Sequence, residues 1–251
     1  MKAVMRELAQ AKRHYSKLPF FEFLRHESIA PRDRLAFYPR MAPFILAFSD
    51  LNRFVLRDED SKDPQQLLIN QRTREHDHRW PWYLEDFTKL GFDHTASVTQ
   101  TLRSYMKDDS RHSRMLGARL ARLLLGATPI EKLVVAEAVE ETDDVLFGLT
   151  AKIAARIHAD GGPELRFLGQ LHFSRESGQA MPGADQRVLE AIALTELERV
   201  RCLDLAFGVV DMFSDWTTEL LAYAKNALAH RTLPHVIHSS TTRYSAVGSP
   251  P

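Results

Sequence analysis

Three short polar strings carry side chains that bind hard or borderline metals and move protons. The first is Glu75-His76-Asp77-His78, followed at once by Trp80, Trp82 and Tyr83. The second is Glu137-x-x-Glu140-Glu141, with Asp144 beyond it. The third is His172-x-x-x-Glu176-x-x-Gln179. Carboxylate and imidazole suit iron and its neighbours among the metals. Each string has helical spacing, so on a continuous helix its members would share a face.

Three readings of the first string stay open. A Glu75/His78 pair three residues apart can grip one ion, as Glu-x-x-His pairs do in di-iron bundles. The same pair can sit on a solvated face, or join an internal ion pair. His76 and Asp77 would point elsewhere and are expected at the surface. In the second string, like charges three and four residues apart repel on a solvated helix. A cation would relieve them, through Glu137 or Glu140; Arg and Lys from neighbouring helices would do so equally. In the third, Gln179 is a weak iron ligand beside imidazole and can simply hydrogen-bond a neighbour. His94, His112 and His158 lack such company and read as surface or loop residues.

The elements that must position these groups read as helices. Apolar residues recur at steps of three and four over residues 42 to 56, with Phe44, Ile45, Phe48, Leu51 and Phe54 on one broad face. Pro64 opens a helix running toward Trp80, and Pro81 should bend or interrupt it. Residues 82 to 90 continue to the stop at Gly91. Helices are expected at 3–16, 97–105 and 113–125. Thr128-Pro129 with Glu131 is an N-cap signature for a long helix over 129–158. Another follows over 163–180, and one or two more over 186–230. No segment alternates as a strand does. The expected fold is all-α, a compact multi-helix bundle, with one domain over 1–232 and a Ser-, Thr- and Gly-rich tail over 233–251.

Bulk properties set limits. The chain has 251 residues, 44% hydrophobic and 26% charged, which is ordinary globular composition. With 33 basic and 33 acidic residues there is no overall basic excess, so no nucleic-acid partner is expected. Zero net charge removes one barrier to self-association, and a homodimer is allowed. Cys202 is the single cysteine. It forms no internal disulfide and reads as a small buried apolar group. No apolar run reaches membrane-spanning length, and the start carries no signal-like stretch. No membrane partner and a cytoplasmic location are the expectation.

The strings together resemble the haem-oxygenase-like superfamily, and within it the iron-containing redox enzymes, the haem-oxygenase-like di-iron oxidases. The resemblance is clearest in NQRTREHDHRWPWYLEDFTKLG (70–91), VVAEAVEETDDVLFGLT (134–150) and LGQLHFSRESG (168–178). It implies a seven-helix fold over about residues 20 to 220. It implies iron, one or two ions, held by Glu75 and His78, by Glu137 or Glu140, and by His172 and Glu176. The family's closing histidine falls on Gln179, a departure that would leave a second iron loosely held or absent. The activity implied is oxidation of a small apolar or amphipathic organic substrate by dioxygen. Trp80, Trp82, Tyr83, Phe167 and Phe173 are candidate cavity walls or simple core residues. The alternative is a non-catalytic helical binding or assembly protein that kept the fold and lost the metal. A metal-free enzyme built on Cys202, or haem ligation by His14 or His26, are further options without distinctive sequence context.

Overall fold

The computed structural model describes residues 1–77, 79–93, 97–176 and 184–232, without the side chains of 175, 176, 184–187, 231 and 232. Among the described residues every regular element is helical. The α-helices are α1 (Lys2–Tyr15), α2 (Pro19–Arg25), α3 (Pro31–Arg34), α4 (Ala42–Leu51), α5 (Pro64–Glu75), α6 (Trp80–Lys89), α7 (Val98–Met106), α8 (Arg111–Leu124), α9 (Pro129–Ala159), α10 (Gln170–Glu176), α11 (Ala184–Ala191) and α12 (Glu196–Thr232). The all-α expectation holds.

The organising element is α9. Its 31 residues span about 46 Å at 1.5 Å per residue. Thr128 starts it as expected: its hydroxyl accepts from the Glu131 amide at 3.3 Å, and the Glu131 carboxylate accepts from the Thr128 amide at 2.8 Å. Gly161, at φ +83°, turns the chain after the last turn. Apolar side chains line more than one side of α9, including Leu133, Val134, Ala138, Leu146, Ile153 and Ile157, all buried. A helix apolar around much of its circumference belongs inside the fold. Accordingly α1, α5, α10 and α12 all pack on it, and one apolar core runs from Met1 to Ala224.

Two boundaries differ from expectation and decide the site. The helix from Pro64 stops at Glu75, a turn occupies 76–77, and a new helix starts at Trp80. Pro81 sits in the first turn of α6, where its missing N–H costs no intrahelical bond. The helix that carries Glu75 therefore ends with it. The second difference follows Gly162. Residues 162–169 form no helix, and α10 begins only at Gln170. The Asp86 carboxylate holds this segment. It accepts the amides of Arg166 (2.7 Å), Phe167 (2.8 Å) and Leu168 (2.9 Å) from within the core. Further along, α4 gives way to a π-helical turn over Asn52–Leu56, and the last helical region is a pair, α11 and α12.

Candidate ligand site

The break between α5 and α6 carries His76 inward, against expectation. Its ring meets Phe48 edge-on, centroids 5.5 Å apart. It lines a cavity with Arg79, Trp80, Asp143 and His172, walled by Phe44, Phe48, Phe147, Phe167 and Trp216. The free interior is about 40 Å³, room for a few water-sized bodies. A second, mostly apolar cavity beside it runs along Leu51, Leu56, Ile69 and Val139, and the two share Phe48, His76 and Asp143.

His172 is clamped by aromatic rings. Phe147 and Phe167 lie 4.2 and 4.6 Å from it and Trp82 6.4 Å, centroid to centroid. Its Nδ1 stands 2.8 Å from the Phe167 carbonyl oxygen. A carbonyl only accepts, so Nδ1 is the donor, and in the neutral form of the ring the lone pair is on Nε2. Asp86 fixes that carbonyl's residue through the Phe167 amide, so α6 sets the orientation of His172 from a distance.

The charges around the cavity are unusual. Burial, then the nearby charge of Glu140, raises Asp143 to about 8, although Arg79 opposes this. Asp143 is thus largely a neutral acid at pH 7. Burial and the surrounding positive groups, Arg79 first among them, hold His76 well below the ordinary imidazole range. Glu140 is also raised by burial, against the pull of Arg72 and Arg79. A neutral carboxyl donor and a neutral imidazole therefore share one small cavity with a buried guanidinium.

The seven sequence-derived metal candidates are placed as follows. Glu75 is exposed at the end of α5. Glu137 is buried and paired to Arg72, whose guanidinium also stands 3.8 Å from Glu140. His172 is on the cavity wall. His78, Gln179 and the side chain of Glu176 lie outside the described residues. Glu141 and Asp144 are both met by Lys12 of α1, at 2.6 and 2.5 Å. For this helix, Arg and Lys from neighbouring elements relieve the acidic run. Asp77 pairs with Arg57, which also donates to the Thr73 hydroxyl and carbonyl. Among the described residues, no three His, Cys, Asp or Glu side chains stand where one ion could be held. The described donors do not by themselves fit iron.

Of the expected cavity walls, Trp80 and Phe167 line it. Trp82 stands behind His172 and stacks under Arg166, 4.9 Å from its ring. Tyr83 is core. It trades hydrogen bonds with Tyr38, each hydroxyl donating to the other's carbonyl at 2.9 Å. Phe173 packs toward Gly148 of α9. Sequence reasoning missed Arg79, Asp143 and the inward turn of His76. For Asp143 a signal existed: it lies three residues after Glu140 and four before Phe147, on the apolar side of α9.

Fold and cavity together define an all-helical protein with a small aromatic-walled cavity and an acid, two imidazoles and a guanidinium on its lining. No protein-family model matches the chain, and no curated protein sequence matches it.

Proposed function

We propose that the chain binds a small amphipathic organic molecule in this cavity, with an apolar body among the phenylalanines and a polar head at Asp143 and His76. The observation that carries the reading is the convergence of those polar side chains, from α9 and the turn after α5, on one apolar cavity. Such convergence is the usual polar lining of a small-molecule site; with about 40 Å³ free, the walls must part toward the adjoining cavity, which shares Phe48, to admit the apolar body. The protonated Asp143 donates to one oxygen of the head, and the ring N–H of neutral His76 donates to the other. All three tryptophans bear on the site, Trp80 and Trp216 as walls and Trp82 against His172. Intrinsic fluorescence therefore reports occupancy. Titration with phenylacetate and with hexanoate should give a saturable change, weakened about tenfold by Asp143→Ala, the loss of one hydrogen bond to a buried head. No saturable change with either compound at millimolar concentration contradicts the reading.

A second reading is favoured by the His172–Phe167 hydrogen bond, because metal-bound histidines commonly donate the other ring N–H to a carbonyl. Here the chain is a cytoplasmic non-haem iron oxidase, with iron supplying dioxygen activation to the same amphipathic substrate. Its ligands would be those the resemblance implies: Glu75, His78, Glu137 or Glu140, His172 and Glu176. Anaerobic addition of Fe(II) and a metal count decide it. One or two ions per chain, with an oxygen-dependent absorbance change, support this reading. Near-zero binding removes it and leaves the metal-free site.

A further inference from the structure

Helix α7 buries none of its nine residues. Val98, Leu102 and Met106 lie four residues apart on one side of it, with relative exposures of 75, 59 and 68%. The inner side is held elsewhere, by the Tyr105 hydroxyl donating to the Pro39 carbonyl at 3.3 Å. An outward stripe of this kind is costly in water and needs an account. The neighbouring element supplies one. Along α8, Arg111, Met115, Ala118 and Arg122, with Leu125 just past its end, fall on one exposed side. An open groove beside that face is lined by Arg111, Arg114, Arg119 and Arg122 against two acids, Asp108 and Asp215.

Two of these four arginines are engaged within the protein and two are not. Arg119 meets Asp215 at 3.3 Å. Arg114 turns back to the carbonyls of Tyr105 and Lys107, tying the end of α7 to α8. Arg111 and Arg122 make no hydrogen bond or ion pair among the described residues. Residues 98–125 hold six Lys and Arg against two Asp, a net of plus four in a chain whose total is zero. An apolar stripe flanked by arginines is the pattern of a surface that lies on anionic lipid, the stripe entering the headgroup boundary and the arginines meeting phosphate.

We infer that α7 and the outer side of α8 dock the protein on an anionic phospholipid surface. This is peripheral attachment, since no described helix is long and apolar enough to cross a membrane. It differs from the expectation that the chain has no membrane partner. The surface shares no residue with the cavity, so it stands or falls apart from the proposed ligand.

Flotation of the full chain with vesicles tests it. The protein should float with phosphatidylcholine–phosphatidylserine vesicles, not with phosphatidylcholine alone, and release as salt rises. Arg111→Glu with Arg122→Glu should weaken floating by roughly thirtyfold or more, and Leu102→Asp with Met106→Asp should abolish it, because both basic and apolar parts contribute. All four positions are exposed, so circular dichroism of both variants should match the parent. Should one pair fail to fold, the other decides. Equal binding to neutral vesicles, no floating at all, or unchanged floating of folded variants overturns the proposal. So does a concentration-dependent dimer that Leu102→Asp dissolves in a protein that ignores vesicles.

Discussion

Burial holds both Asp143 and His76 neutral, raising the pKa of the one and lowering that of the other, so their pH signatures differ. The folded pKa of Asp143, about 8, exceeds the unfolded value near 3.8. Folding therefore takes up a proton, and any stability tied to this group is present below pH 4 and lost as pH rises toward 8. Asp143→Asn removes the titration. Its unfolding free energy in denaturant should gain on the parent's steadily from pH 5 to pH 8, by on the order of a few kcal/mol at the upper end. Parallel curves would mean the carboxyl is ionised in the fold. His76 has the reverse sign. Its folded pKa lies well below the usual value, so below about pH 6.5 the unfolded chain binds a proton that the folded one refuses. His76→Phe should flatten the acid limb of the stability curve, read by thermal melts between pH 4 and 7. Of these two residues, the sequence made only the histidine visible, and with the wrong orientation. Which acid of the 137–144 run faces inward depends on Arg72 and Lys12 arriving from α5 and α1. Such long-range partners leave no mark in local spacing.

At the scale of elements, two carboxylates do the work of joints. Asp86 holds the turn before α10 by three amides, and the same turn orients His172. Asp86→Asn keeps the shape but halves the acceptor capacity. It should cost on the order of 3 kcal/mol in denaturant unfolding and weaken ligand binding with it. Glu219 of α12 caps α8, accepting the amides of His112 (2.6 Å) and Ser113 (3.0 Å) and the Ser113 hydroxyl (2.5 Å). Trp216 adds its indole N–H to that hydroxyl at 3.1 Å. Glu219→Gln should cost about 1–2 kcal/mol, and a null effect would show the cap is replaced by water. Helix starts were legible where chemistry is local, as at Thr128-Pro129-Glu131 and Pro64. The stop at Glu75 was not read, although Pro81 carried a hint, since proline is favoured in the first turn of a new helix. The delay of α10 was not readable at all, because Asp86 lies eighty residues before the amides it binds.

At the scale of the molecule, α9 is both the spine of the core and one wall of the cavity. A ligand there touches α4, α9, α10 and α12 together and should stabilise the whole fold. Thermal melts with saturating phenylacetate should rise by an amount that follows the logarithm of concentration over Kd. The all-helical architecture was legible from periodicity and caps. The meeting of His76, Asp143 and His172 was not, since it depends on how remote helices pack.

The most direct test is to soak a crystal of the protein in 4-bromophenylacetate and locate the bromine by its anomalous scattering. The account predicts one bromine site between Phe44, Phe147 and Trp216, with the carboxylate of the compound toward Asp143 and His76. A bromine found only on the protein surface, or no ordered bromine in crystals soaked to millimolar concentration, would contradict it.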